Sequence, residues 1–188
     1  MGDFNHEATR CDDRVAAWAA GAATAEARTA FDNIPANLRV TKPAEFAAFI
    51  KSEAMMNGFD EAIVLNPDGH VSEGSAENIF IIRNRTLITP PVSDNILEGI
   101  TRRTLMDLAT TQLGLQVVER SIDRTELYVA DEAFFCGTGV QVAAIASVDR
   151  RPIGAGKMGP ITTELRDLYF EVVRGNVPQY CDWCTPVF

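Results

Sequence analysis

Hydrophobic and polar positions change period several times along this chain, and each change marks an element. Phe46, Phe49 and Ile50 recur at helical spacing. They predict a helix over 43–57, with Pro43 in its first turn and Gly58 ending it. The pattern then shortens. Ala62-Ile63-Val64-Leu65 is a buried strand, and Asn66-Pro67-Asp68-Gly69 has the chemistry of a turn. Asn78 to Ile82 and Thr86 to Thr89 read as strands joined by a tight turn at Asn84-Arg85, and Pro90-Pro91 stops the second.

Leu105, Met106, Leu108, Ala109 and Leu113 share a broad helical face over 101–113, and Gly114 is the stop. Leu115 to Glu119 is a strand. Asp123-Arg124-Thr125-Glu126 has capping-box spacing and opens a short helix to Ala130. Glu132 to Cys136 and Val140 to Ser147 are strands around Gly137-Thr138-Gly139. Gly159-Pro160-Ile161 opens a last helix that runs to about Arg174, with Gly175 closing it. Strands and helices alternate without an internal repeat, so the fold class is mixed α/β. Residues 1–33 stand apart. The run from Ala16 to Ala25 is close to low complexity and helix-prone, with a thin apolar face.

Composition narrows the function classes. The chain has 188 residues, 46% of them hydrophobic and 23% charged, with a net charge of −9. One full-sized core fits that length. The acidic balance argues against non-specific nucleic-acid binding and against an anionic membrane surface. No run approaches a membrane span, and the N-terminus has no signal-peptide pattern, so a cytoplasmic location is expected. The cysteines are Cys11, Cys136, Cys181 and Cys184. Cys181 and Cys184 have CxxC spacing, but His6 and His70 are the only histidines, so no metal site is expected and reduced thiols are the plain reading.

Three segments carry candidate chemistry. Gly99-Ile100-Thr101 precedes a helix, where unpaired N–H groups and the positive dipole end suit a phosphate. The plainer alternative is that Thr101 only caps that helix. Gly137-Thr138-Gly139 offers glycine backbone that a ligand can approach, against the alternative of a simple strand turn. Glu73, between an apolar strand and Gly74, offers a carboxylate that would keep a pyridine nitrogen protonated. An isolated glutamate is more often solvent-exposed.

The order of these segments is more specific than any one of them. Gly58-Phe59-Asp60-Glu61-Ala62, Ser72-Glu73-Gly74, Glu77-Asn78-Ile79-Phe80, Thr89-Pro90-Pro91, Gly99-Ile100-Thr101-Arg102, Leu127 to Glu132, Gly137-Thr138 and Gly159-Pro160-Ile161-Thr162 follow one another. Together they resemble the C-terminal domain of class IV (fold type IV, D-amino acid aminotransferase-like) aminotransferases, closest to the branched-chain amino acid type.

The resemblance covers residues 58–188. It leaves 34–57 as a remnant of the interdomain segment and its helix, and 1–33 as an atypical, truncated or aberrant N-terminal segment. It implies pyridoxal 5′-phosphate as cofactor, amino acids and 2-oxo acids as substrates, and a homodimer. The implied reaction moves an amino group between leucine, isoleucine or valine and 2-oxoglutarate.

By the same resemblance Glu73 pairs with the pyridine nitrogen, and Asn78 and Gly99 belong to the cofactor site. Ile100, Thr101 and Thr138 hold the phosphate, and the Thr138 and Gly139 N–H groups meet the substrate carboxylate.

The family lysine that bonds to the cofactor falls on Arg39, an arginine that cannot serve as the amine nucleophile. Lys42 is the nearest surrogate, three residues on. The family tyrosine that follows falls on Ala44. Only Lys42, Lys51 and Lys157 occur in the whole chain. Transamination by this chain is therefore expected to be impaired. Two other readings stay open: a catalytically inactive homologue acting as a remnant or interaction domain, and another class IV activity such as D-amino acid transamination.

Overall fold

The computed structural model describes residues 16–18 and 44–184. Arg39 and Lys42 lie outside the described residues. The elements in chain order are β1 (Ala16–Trp18), α1 (Ala44–Met56), β2 (Glu61–Ala62), β3 (Asn78–Arg83), β4 (Thr86–Thr89), α2 (Ile100–Thr111), β5 (Gln116–Glu119), β6 (Glu132–Gly137), β7 (Gln141–Ala144), β8 (Ser147–Val148), β9 (Arg151–Pro152) and α3 (Pro160–Val173). Short 3-10 turns lie at Val92–Asp94, Arg124–Val129 and Pro178–Trp183.

Five strands form the main sheet in the order β5-β4-β3-β6-β7. β4 and β5 run parallel, with α2 as their crossover, and the other pairs are antiparallel. The β3–β4 hairpin turns on Asn84 (φ 49°) and Arg85 (φ 62°), both left-handed, as a two-residue hairpin requires.

β3 and β6 are buried on both faces, so their side chains alternate between two cores. Phe80, Ile82, Phe134 and Cys136 pack under α2 and α3 with Leu105, Leu108, Leu165 and Val172. Ile79, Ile81, Ala133 and Phe135 face the opposite way, toward Ile63, Val71, Leu127 and Ile145. Phe80 and Phe134 are direct cross-strand neighbours with rings stacked 5.0 Å apart. A buried Phe contributes roughly 1.5–3 kcal/mol, so this central pair anchors the sheet.

The strand and helix positions follow the periodicity closely, with four differences. Residues 63–65 do not extend β2. They bond instead to 71–73, with the Val64 N–H on the Glu73 carbonyl at 2.8 Å and the Ser72 N–H on the Val64 carbonyl at 2.9 Å.

The capping box at Asp123 and Glu126 forms, but it opens a 3-10 turn rather than an α-helix. Its bonding is of the i→i+3 type, with the Glu126 N–H on the Asp123 carbonyl at 2.9 Å. The expected strand from Val140 to Ser147 splits into β7 in the large sheet and β8 in a small one.

Ala16–Trp18, in the helix-prone run, is a parallel strand between β2 and β8. The unpaired backbone of two short strands outweighs an intrinsic alanine preference, because helix propensity amounts to only tenths of a kcal/mol per residue.

Candidate functional site

Glu73 closes the irregular 63–73 hairpin and is 6% exposed. Its Oε2 accepts hydrogen bonds from Asn78 Nδ2 and from the Leu97 N–H, each at 3.0 Å. Asn78 Nδ2 also donates to the Leu97 carbonyl at 2.7 Å. A carboxylate taken out of water needs such donors, and each charge-assisted bond is worth about 1.5–3 kcal/mol. The Glu73 side chain is thus fixed.

Leu97 reaches Glu73 because of how the chain leaves β4. After Pro90-Pro91 the 3-10 turn at Val92–Asp94 ends on Asn95 in the left-handed region (φ 59°). Asn66 then ties that turn to the hairpin. Its Nδ2 donates to the Asp94 carbonyl and its Oδ1 accepts from Asn95 Nδ2, both at 2.9 Å.

Two residues after Leu97, Gly99 is the N-cap of α2. No side chain caps this helix, and its first turn holds no acidic residue. Ile100 and Thr101 are the first two helical residues, so their N–H groups have no intrahelical acceptor. Thr101 sits inside the helix and is not its cap, which removes the plain capping alternative. Here the dipole and the uncapped N–H groups lie at the same helix end, an arrangement that suits an anion.

The third segment arrives by strand register. Asn78 is paired with Cys136, so Gly137 comes beside Ala76 and Glu77. Thr138 and Gly139 are exposed. Gly139 has neither a positive φ nor a neighbour within 4 Å of an added Cβ. Neither the fold's backbone nor its packing needs a glycine there, which fits a position kept clear for a ligand.

The structure therefore joins Glu73, Asn78 and Leu97 to Gly99 at the start of α2, and strand register carries the 137–139 loop beside Ala76 and Glu77. Asn78, named for the cofactor site, sends its amide N–H groups to Glu73 and Leu97 and so orients the Glu73 carboxylate.

Sequence reasoning missed two participants. Leu97 supplies a backbone donor and acceptor, and its side chain is 71% exposed beside Glu73. An exposed leucine between two polar motifs was the available signal. Arg102 is 2% exposed and points away from the open helix end. Its Nη2 donates to the Pro90 carbonyl at 2.9 Å and to Glu119 Oε2 at 2.6 Å, and its Nε to Thr89 Oγ1 at 3.3 Å. Arg102 thus fixes α2 against the ends of β4 and β5, and is not itself a phosphate ligand.

Next to Glu73, Glu77 closes the tight 74–77 turn, in which the Gly74 N–H donates to the Glu77 carbonyl at 2.7 Å. Burial, and then the charge of Glu61, push the Glu77 carboxyl up. Glu61 is itself buried and paired with Lys51 at 2.8 Å. Cys136, on β6, is fully buried, and burial raises its thiol strongly, so it is not a nucleophile. Among the described residues no His, Cys, Asp or Glu cluster could hold a metal ion, and no helix is long and apolar enough to cross a membrane.

Comparison with known proteins agrees with this geometry. The sequence profile described as "Amino-transferase class IV" matches residues 22–148. The chain belongs to the class IV aminotransferases.

This class IV aminotransferase chain is 47% identical over 157 residues to the probable branched-chain-amino-acid aminotransferase of Aquifex aeolicus, covering 84% of the chain and 50% of that protein. It is 42% identical over 187 residues to the branched-chain-amino-acid aminotransferase of Pseudomonas aeruginosa, covering 92% of the chain and 60% of that protein. The crystal structure of the branched-chain amino acid aminotransferase from Thermobaculum terrenum in its PLP form superposes with a TM-score of 0.80 at 42% identity. That superposition covers 95% of the chain and 58% of that structure. The chain thus spans about half to three fifths of the length of these relatives. The fold is that of the fold type IV enzymes, mixed α/β as the element pattern predicts.

Proposed function

We propose that this chain carries the cofactor-holding half of a branched-chain amino acid aminotransferase site, with pyridoxal 5′-phosphate as cofactor. One observation carries the reading: a buried carboxylate, Glu73, is held by Asn78 and Leu97 beside the uncapped N-terminus of α2. A cofactor with a basic ring nitrogen at one end and a phosphate at the other needs that pair of features. When bound, pyridoxal phosphate supplies an electron-accepting ring that eases loss of the amino acid's α-proton.

The protein groups then divide the work. Glu73 would hold a proton on the ring nitrogen, because an adjacent anion favours the charged form. The Ile100 and Thr101 N–H groups, the Thr101 side chain and Thr138 would hold the phosphate. The Thr138 and Gly139 N–H groups would donate to a substrate carboxylate. The exposed Leu97 side chain would offer an apolar surface to the cofactor or substrate.

Branched-chain amino acids are the amino donors that the names of these relatives support, and the family resemblance adds 2-oxoglutarate as the acceptor. The exposed apolar side chains of Leu97 and Ile100 beside the site support a homodimer in which this rim is covered.

A second reading rests on Arg39, the residue that the family resemblance places at the lysine position. In it the chain binds the cofactor without transaminating. One experiment separates the two. The purified chain is titrated with pyridoxal phosphate by absorbance, reduced with borohydride, mapped by peptide mass spectrometry, and assayed with leucine and 2-oxoglutarate. Saturable binding with a stoichiometric adduct on Lys42 and turnover supports the enzyme. Saturable binding with no adduct and no turnover supports the second reading. No saturable binding overturns both.

A further inference from the structure

The CxxC at the C-terminal end is not used by the site described above. Cys181 lies in the 3-10 turn Pro178–Trp183 and Cys184 follows it. Both thiols are free and both residues are exposed. The Cys184 N–H donates to the Cys181 carbonyl at 3.0 Å, so the two cysteines are themselves the corners of an i→i+3 turn. Such a turn brings its end Cα atoms within about 7 Å, overlapping the range of about 4.4–6.8 Å that a disulfide spans.

Direction matters as much as distance. Side chains three apart in a 3-10 turn eclipse one another. The preceding pair shows it directly, since the rings of Tyr180 and Trp183 are 4.5 Å apart. The next pair in the same register is Cys181 and Cys184.

Their sulfurs also converge on one place, the end of α3. Cys181 Sγ lies 3.8 Å from the Gly175 and Val177 carbonyls, and Cys184 Sγ lies 3.8 Å from the Val172 carbonyl. Gly175 and Val172 are joined by a backbone bond of 2.9 Å. Thiol contacts at that length are weak, so little opposes turning the sulfurs toward each other.

We propose that Cys181 and Cys184 are a modification site that forms an intramolecular disulfide by exchange with a low-molecular-weight disulfide. One cysteine thiolate attacks a sulfur of the small disulfide, which releases one thiol and leaves a mixed disulfide. The second cysteine attacks the protein sulfur of that bond, forms Cys181–Cys184 and releases the second thiol. Two electrons pass to the small disulfide, and the two cysteine protons end on its thiols.

The clasp fastens the turn that seats Tyr180, whose hydroxyl lies 2.9 Å from both Thr111 Oγ1 and Gln112 Nε2 at the far end of α2. A zinc role is not supported, because two thiols are too few ligands and no third group joins them among the described residues. This inference does not depend on the proposed transamination.

The test uses the full chain and oxidised glutathione. Intact mass should fall by about 2 Da, the two hydrogens lost, and peptide mapping should join Cys181 to Cys184. Dithiothreitol should restore the mass. Cys136 should react with an alkylating agent only after unfolding, and a Cys11→Ser background removes the remaining thiol. In Cys181→Ser and in Cys184→Ser the surviving cysteine should hold a stable glutathione adduct. A stable adduct on both cysteines of the unsubstituted pair, or no reaction at either, overturns the proposal.

Discussion

A Cβ placed on Gly99 would lie 2.2 Å from Oδ1 of Asn78, the residue that holds Glu73 in place. Gly99 has φ −69° and ψ 140°, which any residue adopts, so glycine is required there by contact and not by backbone strain. The helix end and the buried carboxylate are therefore fitted to each other through one missing methyl group.

Gly99→Ala tests that fit. The alanine must displace Asn78 or the start of α2, and either movement breaks the bonds to Glu73 and Leu97. We expect a loss of about 1–3 kcal/mol in urea unfolding, the usual range for an added group in a packed site. Cofactor affinity should drop at least about tenfold, since a group that is no longer held contributes little to binding. Unchanged affinity with lowered stability would separate the packing role from the site.

Glu73→Gln separates charge from shape. Glutamine keeps an oxygen acceptor for Asn78 and the Leu97 N–H but makes both bonds neutral, so stability should fall by about 1–3 kcal/mol. The negative charge beside the ring nitrogen disappears, and pyridoxal phosphate affinity should fall by roughly tenfold or more. Absorbance titration of both proteins, each checked by a melting curve, measures the two effects independently.

Much of this arrangement could be read from residue order, and particular residues show where reading stopped. The strands from Asn78 to Thr89 and the helices ending before Gly114 and Gly175 are local patterns, and the structure follows them. Glu73, Thr101 and Thr138 were nameable because each sits in a short motif. The Leu97 link was not, since a backbone N–H carries no sequence signature. Nor was the role of Arg102, because a guanidinium reads alike whether it points at a phosphate or back at Glu119. Asn78 lay between the two: its importance was visible, but its partner depended on how Asn66 and Asn95 turn the chain after Pro91.

Arg102→Ala should be costly for the fold. The arginine is 2% exposed and bonds to Pro90, Thr89 and Glu119 at once. Truncation leaves a buried carbonyl without its donor and a cavity under α2. Such losses come to about 2–4 kcal/mol. Glu119→Gln should cost less, about 1 kcal/mol, because the glutamine oxygen can still accept from Arg102 Nη2 while its charge, on a side chain 44% exposed, is partly screened by water. Denaturant melts of the two variants should therefore differ sharply, although they remove opposite ends of one ion pair.

The pH dependence of stability should have two limbs with different owners. On the acid side, the hydrogen bond from Arg120 holds the Glu126 carboxyl down at about 2, against an ordinary 4.5, with Arg83 adding to it. A lowered carboxyl stabilises the fold fully above its unfolded value and loses that contribution as pH falls through the folded one. Unfolding free energy should decline from about pH 4.5 toward pH 2, and Glu126→Gln should flatten that limb. Because Arg120 and Arg83 are over a third exposed, the Glu126 contribution is discounted to about 1 kcal/mol.

On the alkaline side, the hydrogen bond with Asp68, followed by the charges of Asp68 and Asp123, raises His70 above its ordinary 6.5. A raised histidine contributes fully below 6.5 and loses that contribution as pH climbs through the higher folded value. His70→Asn should therefore remove a small decline above pH 6.5, and, because the hydrogen bond with His70 also holds the Asp68 carboxyl down, it should trim the acid limb slightly as well. Urea melts between pH 2 and pH 9 resolve both limbs. An acid limb unchanged in Glu126→Gln would assign it to other carboxylates.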